Sequence, residues 1–351
     1  MIRSSRACLP LVFLLALLLP VALAVQPASS ETPVNSVQSK IPACMIVDDP
    51  NPFLNQLALG HPELCKEIPT SFYLEFGRWA KEAGIKGKFS VVPCLGGAGP
   101  IDGSLGEYPG HTRQERLDWI EMIKTLYEPR FTITPEIITH WYAWDIDAKK
   151  PLADAPKENE WLAKQTPEVQ TRYITEAMQM LKNADITAGG LTMCWRYPSG
   201  RTDVLGEAAL RAAEKVYGLK YVMVFNENGD QPRVIYKRDD GAMAVSLRPS
   251  FGDSGAVFDH SYGKKTEDDV QHHADIFITA DGTAGKFVDR IDAGRPLIFY
   301  THAQTLYGNG TKSGLKVFQI AIERLQKHYG DRVQWMTGLE ICRHYCPPEK
   351  R

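Results

Sequence analysis

The chain has 351 residues, 44% of them hydrophobic, and a formal net charge of −2 from 40 basic and 42 acidic residues. That length suffices for one large α/β domain with a substantial core. No run of basic residues and no basic helix face is present, which excludes nucleic acid as the expected partner.

At the start, Arg3 and Arg6 precede an apolar stretch from Leu9 to Leu19, and Ala22-Leu23-Ala24 offers a small-residue cleavage site. This layout predicts a secretory signal peptide over 1–24 and a secreted or periplasmic product. The stretch is short for a bilayer span and carries Pro10 and Pro20, and no later segment is apolar enough to cross, so no membrane association is expected after cleavage. Residues 25–40 are polar, rich in Pro and Ser and without periodicity, which reads as a disordered leader. The folded domain is expected over 41–351. Its cysteines, Cys44, Cys65, Cys94, Cys194, Cys342 and Cys346, permit disulfides after export but match no zinc signature, because no Cys-x-x-Cys occurs.

From there strand and helix patterns alternate. A strand over 43–48 is followed by a helix from Ser71 to Ala83, with Phe72, Phe76, Trp79, Ala80 and Ala83 at helical spacing and Gly84 as its stop. A strand over 88–92 opens into a Gly-rich loop over 96–110. Thr112 and Glu115 form a capping box ahead of the next helix, and a strand from Phe131 is expected to end at His140. Residues 145–165 read as a polar excursion. Thr166-Pro167-Glu168 then starts a helix reaching Lys182, followed by a strand over 191–195. Asp203 is the expected cap of a helix to Tyr217, and 220–225 is a further strand. Residues 233–246 alternate like a hairpin around Asp239-Asp240-Gly241 and are expected to be an insertion outside the main sheet. Residues 250–285 give no firm pattern. Helix 284–293, strand 297–301, helix 314–329, strand 333–336 and a helix from Gly338 complete the series.

Repeated strand-helix units predict an α/β fold with a parallel sheet, closed or nearly closed into a distorted barrel. An open doubly wound sheet is the alternative; no Gly-x-Gly-x-x-Gly follows the first strand to support a dinucleotide fold. Barrels of this kind gather the C-terminal ends of their strands on one face, where active sites lie. Four apolar runs here end in residues capable of chemistry: Asp48-Asp49, His140, Arg196 and His302. The adjacent carboxylates repel each other, which a divalent cation would relieve, although Asp-Asp-Pro-Asn-Pro is also good turn chemistry. His140 is either a hydrogen-bonded structural residue or a ligand through a neutral ring nitrogen. Arg196 has the fork to hold a carboxylate, or to make a structural ion pair on the rim. His302 follows the most apolar strand and has the chemistry to shuttle a proton. Trp141, Tyr142, Trp144 and Tyr197 are either stacking walls for sugar rings or core. No Gly-x-Ser-x-Gly elbow, His-Glu-x-x-His helix or phosphate loop is present.

These motifs together resemble the polysaccharide deacetylase (NodB-homology) family of the glycoside hydrolase/deacetylase barrel superfamily. Met45-Ile46-Val47-Asp48-Asp49-Pro50 is similar to its first motif, Arg196-Tyr197-Pro198-Ser199-Gly200 to its Arg-x-Pro-aromatic-Gly motif, and Tyr300-Thr301-His302 to its late apolar-x-His motif. Val333 to Ile341 resembles the last strand and helix of its peptidoglycan-type members. The resemblance implies a distorted (β/α) barrel with loop and hairpin insertions, a carbohydrate substrate, and hydrolysis of an acetyl group assisted by a divalent metal, usually zinc. It implies Asp48 as general base, Arg196 as the residue orienting that base, His302 as general acid, and Asp49 and His140 as metal ligands; Trp144 and Tyr197 are the substrate-side candidates from their aromatic rings alone. The chain departs from the family twice: Pro50 directly follows the Asp pair, and Trp144 stands where a second histidine is expected. An indole donates and does not ligate. The resemblance therefore leaves the third ligand to a neighbour, with Asp145 nearest and Asp147 or His260 as further candidates. The rival readings are a catalytically silent glycan binder on the same rim, or a glycoside or other amide hydrolase on the same barrel.

Overall fold

Alternation inside the strands shows how the sheet curls. In the computed structural model, which describes residues 40–51, 53, 67–154, 156–193, 197–252 and 267–348, the chain opens with strand β1 (Ile41–Asp48). Helix α1 (Thr70–Glu82), β2 (Gly87–Val91), α2 (Arg113–Met122) and β3 (Phe131–Pro135) follow. A small antiparallel pair, β4 (Trp144–Asp145) and β5 (Lys150–Pro151), leads to helices α3 (Glu158–Ala163) and α4 (Pro167–Asn183). Next come β6 (Gly190–Thr192), α5 (Thr202–Tyr217), β7 (Tyr221–Phe225), β8 (Arg233–Lys237), β9 (Met243–Ser246) and β10 (Phe251–Gly252). The described chain ends with α6 (Glu267–Phe277), α7 (Lys286–Asp292), β11 (Leu297–His302), α8 (Ala303–Tyr307), α9 (Ser313–Tyr329), β12 (Val333–Trp335) and α10 (Gly338–Tyr345).

One sheet runs β10-β11-β1-β2-β3, with β12 also on β1, and a second runs β6-β7-β9-β8. A parallel bridge between Glu136 and Thr192 links them just beyond β3. All pairings within these two sheets are parallel except β8 with β9. Odd positions of β1 (Ala43, Met45, Val47) and Phe89, Phe131, Ile133 and Phe299 pack outward into the large core beneath the helices. The opposite faces meet one another: Cys44, Ile46 and Ile298 from the first sheet share a cluster with Tyr221, Met223, Phe225, Met243 and Val245 from the second. Strands far apart in the order thus enclose a common interior, and the architecture is an α/β distorted barrel.

Helix α10 closes the end of the barrel at the strands' N-termini. Ile341 and Cys342 join the inner cluster, and the Leu339 amide donates to Thr132 Oγ1 at 2.9 Å. A Cβ on Gly338 would lie 2.5 Å from Met223 Sδ, so any larger residue there would have to push the Met223 side chain aside. The Thr337 hydroxyl accepts the Glu340 amide and the Glu340 carboxylate accepts the Thr337 amide, a complete capping box. Thr337→Ala is expected to lower unfolding free energy by about 1 kcal/mol, measured as a shift of the urea midpoint at unchanged slope.

Several expectations need correction. The hairpin at 233–246 is not an insertion: β9 pairs in parallel with β7 and buries Met243 and Val245 inside the barrel. The strand from Phe131 stops at Pro135, because Ile137 and His140 adopt left-handed backbone (φ 48° and 69°) and turn the chain. Asp203 is not a cap; α5 begins one residue earlier, at Thr202, and no side chain caps it. The excursion at 145–165 contains helix α3. The signal peptide over 1–24, all of the 25–40 leader except Lys40, Arg196, Cys65, Cys194 and His260 lie outside the described residues.

Candidate active site

The barrel interior changes from apolar to polar along its axis. Inward positions rise from Cys44 and Ile46 to Asp48 on β1, from Thr132 through Thr134 to Glu136 after β3, and from Ile298 to His302 on β11. On β2 the inward residues are Lys88 and Ser90, both fully buried. Parallel register puts Asp48 directly beside His302, so adjacent strands deliver two of these groups to one level. Lys88 lies beside Ile46, one layer lower, and reaches upward. Its ammonium meets Asp48 Oδ1 at 2.6 Å and sits 4.7 Å from the centre of the Phe225 ring.

Asp49 supplies the bend at the end of β1. Its φ of 52° is left-handed, which turns consecutive carboxylates toward a shared volume rather than to opposite faces. The Asp49 amide donates to Glu136 Oε2 at 3.2 Å, and its carbonyl accepts Gln304 Nε2 at 3.0 Å. His140 Nε2 lies 3.0 Å from Asp49 Oδ1 and 3.4 Å from Glu136 Oε1. The Ser90 hydroxyl stands between Asp48 Oδ1 (3.1 Å) and Glu136 Oε2 (2.7 Å). It has one hydrogen and cannot serve both carboxylates at once.

Burial and charge set the protonation of these groups. Burial raises the Asp48 carboxyl, and Glu136 raises it further, against Lys88 and His302. For Asp49 burial also opposes ionisation, but His140 and His302 outweigh it and bring the carboxyl down to about 2. Burial alone would lower the His140 imidazolium, yet Asp49 and Glu136 hold it well above its ordinary range.

Two groups of potential metal ligands result, Asp49-Glu136-His140 and Asp48-Asp49-His302, the ligand atoms within each lying no more than 4.8 Å apart. Asp48, Asp49 and Glu136 face only Lys88 as a permanent cation among the described residues, and all four are at least nine-tenths buried. Such a surplus of buried negative charge fits a divalent ion, and mixed carboxylate and imidazole donors are suitable ligands. The first group fits best, because Lys88 already occupies Asp48.

The structure thus brings Asp48, Asp49, His140 and His302 together. It does not bring Asp145 with them. Both the Asp147 and Ala148 amides donate to Asp145 Oδ1, which ties that carboxylate into its own turn, and Asp147 pairs with Arg172 on the surface. Nor are Trp144 and Tyr197 open walls. Trp144 is 1% exposed, its ring packed near Gly97 and Pro151, and Tyr197 is 4% exposed with its hydroxyl donating to Gln170 Oε1. Trp141 and Tyr142, half-buried and nearly perpendicular to each other, are the aromatics next to His140 that keep exposed surface.

Glu136, Lys88 and Ser90 escaped the sequence reading. The signal was present: polar residues at alternate positions of otherwise apolar strands mark a polar inner face. Glu136 stands four residues before His140, on the same inward register as Thr132 and Thr134.

No family model matches the chain, and no curated protein matches it. Among solved structures it is similar over 93% of its length, and 98% of the other chain, to one described as "putative polysaccharide deacetylase from Mycobacterium smegmatis", at 13% identity and a TM-score of 0.46.

Proposed function

We propose that the protein is a metal-dependent hydrolase that removes acetyl groups from a carbohydrate. The observation that carries this reading is the convergence of Asp48, Asp49, Glu136, His140 and His302 at the polar end of the barrel. The strand-end motifs and their resemblance to deacetylase motifs supply the reaction class.

Asp49, Glu136 and His140 would hold the divalent ion. When bound, the ion supplies Lewis-acid polarisation of the acyl carbonyl and acidifies water. The chain's own groups then divide the proton work. Lys88 bonds Asp48 Oδ1 at 2.6 Å with the Ser90 hydroxyl beside that same oxygen, and among the described residues no hydrogen bond falls on Oδ2. Asp48 is thereby fixed at one oxygen, and the other accepts the proton of the attacking water as it bonds to the acyl carbon. His302, in register on the neighbouring strand, donates a proton to the departing amine or alcohol as its bond to that carbon breaks. A glycosidase would need carboxylates about 5 Å or more apart on opposite sides of one bond. The acidic groups here gather round one point instead. The signal-like segment over 1–24 supports action outside the cytoplasm.

The test is acetate release from acetylated chito-oligosaccharide and acetylated xylan, before and after chelation and after adding back zinc or manganese. Acetate that disappears with the cation and returns with it is expected. New reducing ends without acetate, or acetate release indifferent to chelation, would overturn the proposal.

A further inference from the structure

Three consecutive backbone amides converge on one carboxylate outside the ligand set. Glu158, the first residue of α3, is fully buried. Its Oε1 accepts the amides of Ile138 (2.8 Å) and Thr139 (3.1 Å) and the hydroxyl of Tyr173 (2.6 Å). Its Oε2 accepts the amides of Thr139 (3.2 Å) and His140 (2.7 Å). The Glu158 amide in turn donates to the Trp141 carbonyl. Consecutive amides point to one side only when the backbone departs from strand geometry, and here Ile137 and His140 both take left-handed φ. That conformation is costly for a β-branched residue such as Ile137. The carboxyl group offsets it by accepting all three amides at once; burial raises that carboxyl to about 7, and the bonds from Tyr173, Ile138 and Thr139 act against the rise.

Resting on the cation-site reading, we infer that Glu158 is a positioning residue for that site. Its carboxylate holds the 137–140 turn in the shape that brings the His140 imidazole to Asp49 and Glu136. Glu158 touches neither substrate nor cation and works through the backbone of His140. Tyr173 extends the device. Its hydroxyl donates to Glu158 and accepts the amide of Trp144, the residue standing where the family motif leads one to expect a second histidine. The histidine is replaced, and the strand of chain that would have carried it is tied to the carboxylate that aims the remaining one.

Glu158→Gln preserves volume but brings an NH₂ group against amides that also donate. Cobalt(II) is the probe, since its visible spectrum reports ligand number and geometry. Titrated at a temperature well below the melting point of either protein, the variant is expected to bind cobalt about 10–100-fold more weakly than the parent, with altered visible bands. A residue that only stabilises the fold would leave affinity and spectrum alone; parental values in the variant overturn the inference. Should Glu158→Gln not fold, Tyr173→Phe replaces it, with a several-fold weaker affinity expected and an unchanged one overturning the inference. If the parent takes up no cobalt, the cation-site reading falls by itself. Glu158 is then judged by the His140 imidazole NMR signals: displaced in the variant, the positioning role stands; unmoved, it is overturned.

Discussion

Asp48→Asn is expected to lower kcat/KM for acetate release by about a thousandfold, within the usual range for loss of a general base. It should leave bound cation near the parental level. Asparagine keeps the shape of the side chain and an oxygen for Lys88 to bond, so the anchor at 2.6 Å survives in geometry. What it loses is the ability to take a proton. The substitution also leaves the fully buried Lys88 ammonium without its anion, and breaking a buried pair costs about 3–5 kcal/mol. Kinetics and metal content therefore belong at a temperature where circular dichroism shows the variant folded. Parental turnover in a folded variant would remove Asp48 from the proton path. A loss of cation equal to the loss of rate would instead make Asp48 a ligand, as its place in the group with Asp49 and His302 allows.

The elements that were legible in the sequence are those in which local pattern and tertiary fate agree. The Thr112 and Glu115 pair caps α2 as a capping box, and the Thr166 cap followed by Pro167 starts α4, because such signals act within one turn. Strand ends carrying Asp48 and His302 were legible for a similar reason: a polar residue closing an apolar run has few places to go in a barrel. Glu158 was not, since nothing near it in sequence reveals that residues 138–140 will present their amides to it. Its role arises from backbone conformation, and Ile137 in a left-handed turn is contrary to what a β-branched residue suggests. The hairpin at 233–246 misled because alternation looks the same in an insertion and in a sheet strand. Only the partner of β9 distinguishes them, and β7 lies across the turn. Trp144 stayed open between wall and core for a related reason. An aromatic beside a strand end serves as a wall or as core according to what covers it, and Gly97 and Pro151 cover it here.

Glu136→Gln and Asp145→Asn are expected to separate the ligand set the geometry favours from the one the motif spacing suggested. A ligand present at a hundred times its dissociation constant stabilises the folded parent by about 2.7 kcal/mol. For a chain of this size that corresponds to a rise in Tm of about 4 °C, read by scanning calorimetry with manganese or zinc. Asp145→Asn should keep that rise in full, since its Oδ1 serves the amides of its own turn. Glu136→Gln should lose most of it, because the amide oxygen is neutral and the charge that attracts the ion is gone. Cation-free Glu136→Gln should melt close to the cation-free parent. Glutamine can still accept from the Asp49 amide and from Ser90, and removing one of three clustered carboxylates relieves repulsion that offsets the lost contact with His140. The ligand type also favours one class of ion over another. Two carboxylates and one imidazole form a harder donor set than one carboxylate and two imidazoles, which shifts relative affinity toward manganese and away from zinc. Glu136→His should move that ratio back toward zinc. A ratio unchanged by Glu136→His, together with a rise in Tm lost in Asp145→Asn, would place the ion on the 145 turn and leave Glu136 as a partner of Ser90, the Asp49 amide and His140.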